Sequence, residues 1–266
     1  MKKLIIYFSI LSCLFASCKK IIEVDTNNAE TQIVIEGKIT DKLADQQILI
    51  TKTVGYSDQN IFPKVSGATV IVTDDKGSKY TFIEKAAGVY VQAMRGIPGN
   101  TYSLNVNVNG KIYTASSKMP NNVKLDSIGV TTNSFFGNER KIAAAYLVDP
   151  VNETNFYHFN LYVNDLFSKR IYVSNDRLTN GNKLRTQLYY SENDDDDKGL
   201  KTGDKISIEM ECIDSNIFDY WYALSQQSGR GPNQGTTPAN PTSNISNNAL
   251  GYFSAHTFQK LNVTVP

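Results

Sequence analysis

The sequence predicts an all-β chain with one short helix, and three observations carry that prediction. Apolar and polar residues alternate with a period of two through most of the chain beyond Gln32. Turn residues interrupt the alternation about every eight to twelve residues, the spacing of short strands in a sandwich. A single segment, Asn216 to Gln227, instead repeats its apolar residues Ile217, Tyr220, Trp221 and Leu224 at helical spacing, with Asp214-Ser215 placed to cap it.

The elements follow in order. Ile33-Val34-Ile35-Glu36-Gly37-Lys38-Ile39 and the stretch from Gln47 to Val54 alternate as strands do. Ala68 to Thr73 meets the turn Asp74-Asp75-Lys76-Gly77 and returns through Tyr80-Thr81-Phe82-Ile83 as a hairpin. Gly88 to Val91 and Thr101 to Val108 continue the pattern, and Asn109-Gly110 is a two-residue turn into Lys111 to Ala115. About seven short strands between Gln32 and Lys118 suggest a β-sandwich of immunoglobulin or transthyretin type. Met119-Pro120-Asn121-Asn122 breaks the pattern and sets the expected boundary between a sandwich over residues 32–120 and a second β-rich domain over 121–266. Strands in the second domain are expected over Lys124–Thr132, Lys141–Val148, Phe156–Asn164, Arg170–Val173, Leu184–Tyr190, Lys205–Ile213 and Gly251–Val265.

The N-terminus has a different character. Met1, Lys2 and Lys3 precede the apolar run Leu4 to Leu14 and then Phe15-Ala16-Ser17-Cys18, the order of an export signal. A helix over Leu4 to Ala16 is about 20 Å long, short of a hydrocarbon core of about 30 Å, so the segment reads as a signal rather than a span. Its end resembles the bacterial lipobox, which implies cleavage after residue 17, lipidation of Cys18 and a tether over residues 18–31; Phe15 departs from the aliphatic residue usual there. The other readings are a secreted protein with Cys18 as a free thiol, and a retained apolar anchor. Two or more acyl chains anchor stably where one does not, so lipidation makes the membrane a partner. Once Cys13 leaves with the signal and Cys18 is acylated, Cys212 is the remaining thiol, and no intramolecular disulfide can form.

Charge excludes one class of partner. The chain carries a formal charge of +1, and loss of Lys2 and Lys3 leaves 25 basic residues against 26 acidic, a net −1. Nucleic-acid binding needs a concentrated basic face, so none is expected.

Several motifs resemble, in order, a known family. They are Val65-Ser66-Gly67-Ala68-Thr69-Val70, Asp75-Lys76-Gly77, Gly88-Val89-Tyr90, Gly99-Asn100-Thr101-Tyr102-Ser103-Leu104, Tyr113-Thr114-Ala115 through Met119-Pro120, Ser243-Asn244-Ile245, and Ala249-Leu250-Gly251-Tyr252-Phe253-Ser254-Ala255. The chain resembles the Bacteroidota lipoproteins grouped as domain of unknown function 4249, or DUF4249. That resemblance implies a lipid-anchored outer-membrane protein, often encoded near a TonB-dependent transporter, and it brings no catalytic residue or cofactor with it. The expected function is a binding or accessory component of such an uptake system; the alternative is a structural or adhesive envelope protein. Lys19 and Lys20 follow the cysteine, which leaves the cell surface and the periplasmic face equally open.

The chemistry-bearing residues are few. His158 and His256 are the only histidines and sit in no recognised motif, so they read as surface or satisfied structural residues, and no enzyme is expected. Asp194-Asp195-Asp196-Asp197 offers oxygen ligands of the kind calcium takes, although neighbouring carboxylates repel and a solvated turn is the simpler reading. Tyr220-Trp221-Tyr222 is read as a core-facing stripe with one exposed tyrosine, with a contact platform as the alternative. The segment Gly229 to Asn248 is a long loop of the kind that makes contacts. Asp126-Ser127-Ile128 resembles the short site at which Bacteroidota envelope proteins are O-glycosylated, here on Ser127.

Overall fold

The computed structural model describes residues 30–55, 58–135, 138–190, 199–227 and 240–266. The signal segment, Cys18 and the run Asp194 to Asp197 lie outside them. The fold is all-β with a single helix among the described residues. Strands β1 (Ile33–Thr40), β2 (Ala44–Lys52), β3 (Thr69–Asp74), β4 (Lys79–Ala86), β5 (Val89–Met94), β6 (Thr101–Val108) and β7 (Lys111–Lys118) build the N-terminal sandwich. The second half holds β8 (Leu125–Phe135), β9 (Asn138–Val148), β10 (Phe156–Val163), β11 (Leu166–Phe167), β12 (Tyr172–Asn175), β13 (Lys183–Leu188), β14 (Lys205–Ile213), helix α1 (Ser215–Gln227) and β15 (Leu250–Thr264).

Local chemistry explains the turns. At the β6–β7 turn, Asn109 and Gly110 both take positive φ, 51° and 87°, a backbone that asparagine and glycine tolerate best. At the β3–β4 turn, the Asp74 carboxylate accepts the backbone N–H groups of Lys76 and Ser78 at 3.0 and 2.8 Å.

One large sheet runs in the order β11-β10-β14-β15-β1-β2-β5-β4-β3-β6-β7, with β12 also on β10, and a smaller sheet runs β13-β9-β8. The large sheet folds over itself through β4, so that Ile35, Ile39, Ile48 and Ile50 from one layer meet Val70, Val72, Leu104 and Val106 from the other in one core. Burying each such side chain is worth about 1.5–3 kcal/mol. A second core forms where β8, β9 and β13 lie over β10, β14 and the end of β15. There Ala143, Ala145, Leu147 and Leu188 pack against Tyr157, Phe159, Leu161, Ile206, Ile208 and Met210. Met119 belongs to the first core and Val123 to the second.

Strand β15 joins the halves. Its first part, Leu250 to His256, pairs parallel to β1, and its last part, Thr257 to Thr264, pairs antiparallel to β14. Phe253 and Ala255 enter the first core, while Leu261 and Val263, on the same side of the strand, pack against the second. Gly251 sits where β15 enters this arrangement, with φ +90°, and a Cβ there would stand 2.1 Å from the Ile35 carbonyl oxygen. Only glycine lets the two backbones approach so closely. The described end of the long loop is tied down rather than free: Asn244 accepts the Phe253 N–H at 2.9 Å and donates to its carbonyl at 2.8 Å, and Ile245 bridges to Ala115.

Candidate functional site

Strand alternation that puts Tyr157, Phe159 and Leu161 in the second core forces His158, Asn160 and Tyr162 onto the opposite face of the sheet. The same rule sends Glu209 and Glu211 of β14, and Tyr252, Ser254 and His256 of β15, to that face. On β1, Glu36 and Lys38 stand opposite Tyr252 and Ser254, and on β2 Leu49 and Gln47 stand opposite Glu36 and Lys38. Residues from five strands therefore share one surface, over part of which α1 lies.

The helix is held there by its cap. Asp214 accepts the Ile217 N–H at 3.0 Å and the hydroxyl of Ser117, which in turn accepts the Ala255 N–H at 2.9 Å. Ile217 and Phe218 are buried and pack with Ile213 and Tyr252. The Trp221 ring lies flat on the His158 imidazole, with centroids 4.6 Å apart and planes 6° from parallel, and meets Tyr252 edge-on at 5.2 Å.

At the centre is Glu211, a carboxylate buried with only 5% of its side chain exposed. Its partners come from three other strands. His158 Nδ1 lies 2.8 Å away, and because a carboxylate only accepts, that nitrogen carries the proton. Asn160 donates to Glu211 at 3.3 Å, Lys38 Nζ stands at 3.8 Å, and His256 Nε2 stands at 3.7 Å. Burial by itself would push the Glu211 carboxyl up, but its interactions with His256, His158 and Lys38, with the His158 hydrogen bond, outweigh it and hold the group well below the ordinary carboxylate range. Burial pushes His256 down, toward its neutral form, against the opposing pull of Glu211. The other nitrogen of His256 lies 2.9 Å from the Ser254 hydroxyl. Ser254 is itself 1% exposed, so this contact closes an internal network and presents no nucleophile.

Beside the cluster the surface opens into a cleft of about 300 Å³ lined by Glu36, Lys38, Asp45, Gln47, Leu49 and Tyr252. Its walls mix two carboxylates, one ammonium, an amide and apolar surface, a composition suited to orienting a small polar molecule. Among the described residues no group of three or more His, Cys, Asp or Glu side chains is arranged to hold a metal ion. Among them too, no helix is long and apolar enough to cross a membrane.

The sequence-predicted residues are placed as follows. His158 and His256, on separate strands, converge on one carboxylate; they are buried and partnered, as satisfied structural histidines are. Tyr220 and Trp221 are half-buried against the sheet and Tyr222 is the exposed member, the stripe-like arrangement. Ser127 is exposed on the edge strand β8, beside a bulge at Leu125 to Ser127. Cys212 is buried, and burial raises its thiol pKa. Glu211, Lys38 and Tyr252 were not singled out from sequence. The available signal was that each sits at the polar phase of an alternating strand.

None of the curated proteins compared with the chain matches it. The model of one family, described as a domain of unknown function (DUF4249), matches residues 19–262, which carry both sandwiches and the cleft, and the chain belongs to that family.

Proposed function

We propose that this chain is a lipoprotein of the Bacteroidota outer membrane, anchored through acyl chains on Cys18, and that it binds a small polar solute as an accessory to a TonB-dependent transporter. The observation that carries the binding part is the cleft bordered by Lys38 and Tyr252, since it sets charges of both signs and apolar surface within one concave space. The anchor is supported by the order of residues from Lys2 to Cys18 and by the family match, which starts at the residue after that cysteine.

The test is made on protein purified from its native host. Mass spectrometry should find a mature chain that begins at a diacylglyceryl-modified Cys18, and a tagged copy should carry a barrel transporter through mild-detergent purification. An unlipidated start elsewhere would overturn the anchor. Purification without a transporter would overturn the accessory role and favour a structural or adhesive one.

A further inference from the structure

Tyr252 is an unusual residue to find on a cleft wall. It is 96% buried, with 4% of its surface exposed, yet its hydroxyl is not one of the enclosed polar atoms and takes no hydrogen bond from the described residues, so it opens on the cleft. Close by on α1, Tyr220 packs its ring 5.0 Å from that of Tyr252, and its hydroxyl also has no hydrogen-bond partner among the described residues. Both phenols are raised first by burial, Tyr220 to about 12, and both also feel the charge of Glu36. Glu36 stands opposite Tyr252 in the β1–β15 register and lines the same cleft.

Glu36 and Asp45 also form no ion pair among the described residues, whereas the surrounding acids Glu209 and Glu211 are both paired. Two residues from Glu36 on β1, Lys38 holds only a long contact of 3.8 Å to Glu211 and leaves 44% of its side chain exposed. The cleft therefore offers the unpaired Glu36 carboxylate and, two residues along the same face of β1, a cation with unused donors, with Leu49 opposite Glu36 on β2. An exposed aromatic face is what a sugar ring needs, and Tyr252 is too deeply buried to give one.

We propose that the cleft binds a small zwitterion of the free α-amino acid or dipeptide class. Its ammonium lies between Glu36 and the hydroxyl of Tyr252, and its carboxylate lies against Lys38. An ammonium carries three donors and no acceptor, which suits a carboxylate and a phenol oxygen. A cleft of about 300 Å³ is at the small end of ligand sites and fits a molecule of that size. This inference deepens the solute-binding reading above and names its ligand class.

The test is calorimetric titration of the full-length lipoprotein in detergent with L-alanine and glycylglycine. Alaninamide, which lacks the carboxylate, propionate, which lacks the amine, and maltose serve as comparison probes. Saturable binding of L-alanine or glycylglycine, weaker by about tenfold or more when either charge is removed, is the expected result. The variant Tyr252→Phe deletes a hydroxyl that bonds to nothing in the structure, so it should melt with the wild type and still bind about tenfold more weakly. Glu36→Gln should do likewise. Binding of neither zwitterion up to millimolar concentration, equal binding of alaninamide or propionate, preferential binding of maltose, or unchanged affinity in folded Tyr252→Phe would each overturn the proposal. Transporter co-purification is scored separately on the same preparation, so loss of the partner and loss of the ligand are told apart.

Discussion

Replacing Glu211 with glutamine should cost the protein about 3 kcal/mol. Removing one member of a buried charge cluster costs about 3–5 kcal/mol, because the remaining charges stay out of water without a counterion. Here the charge left behind is the half-exposed Lys38, and the imidazoles of His158 and His256 lose the acceptor they converge on. Glutamine offsets part of that cost, since its carbonyl can still accept from His158 Nδ1 and from Asn160. At about 2–4 °C per kcal/mol for a chain of this size, the melting temperature should fall by roughly 6–12 °C. The pH dependence carries a second signature. The Glu211 carboxyl is depressed in the folded state, so its contribution is complete above the ordinary value of 4.5 and is lost as pH falls below it toward the folded value. His256 is also depressed, so below its ordinary value of 6.5 the unfolded chain takes up a proton that the folded chain resists, and stability again declines toward acid. Thermal melts of both proteins between pH 3.5 and 8, a range of about those two values, should show a smaller loss below pH 4.5 in Glu211→Gln and an undiminished loss below pH 6.5. A variant that melts within about 2 °C of wild type and keeps the full acid slope would refute the reading of Glu211 as the anion that holds this cluster together.

Other outcomes follow from single contacts. Asp214→Ala removes the cap of α1 and the acceptor of the Ser117 hydroxyl, and should cost about 2–4 kcal/mol in urea unfolding; Ser117→Ala in the same background should add less than it does alone. Gly251→Ala forces a Cβ against the Ile35 carbonyl at a positive φ, and should cost about 3 kcal/mol or more, with faster amide hydrogen exchange along β1 and β15. Trp221→Ala strips the ring from His158 and Tyr252, and should cost about 2 kcal/mol while raising solvent access to both, read by histidine and tyrosine NMR signals.

The all-β class was legible because alternation is a local property: each strand announces its period without reference to its partner. The turn Asn109-Gly110 and the cap Asp214 were legible for the same reason, since each rests on residues a few positions apart. Strand ends were less so. Lys205–Ile213 was read with its observed bounds, but the strand expected at Arg170–Val173 runs Tyr172–Asn175, and the two-residue β11 is too short to show a period. The site was hidden by distance along the chain. Glu211 and Lys38 read only as the polar phase of a strand and the two histidines as surface or satisfied structural residues, and only the pairing of β10, β14, β15 and β1 brings the four together. Nothing local says that β1 and β15 run side by side in parallel, because that register joins segments from opposite ends of the sequence. The covering of this face by α1 is likewise a tertiary fact, visible in sequence only as a helix with an apolar stripe.

The shared strand also sets an order of events. β15 follows the other described strands of both sandwiches along the chain, so a polypeptide that emerges N-terminus first holds β1 and β14 with one side each unsatisfied until β15 arrives. Unsatisfied edges recruit other chains, which makes that interval the time of greatest aggregation risk. When β15 docks, it closes the two cores in one step, and with the second core the floor beneath Glu211. Maturation of the fold and assembly of the polar face around Glu211 are thereby the same event.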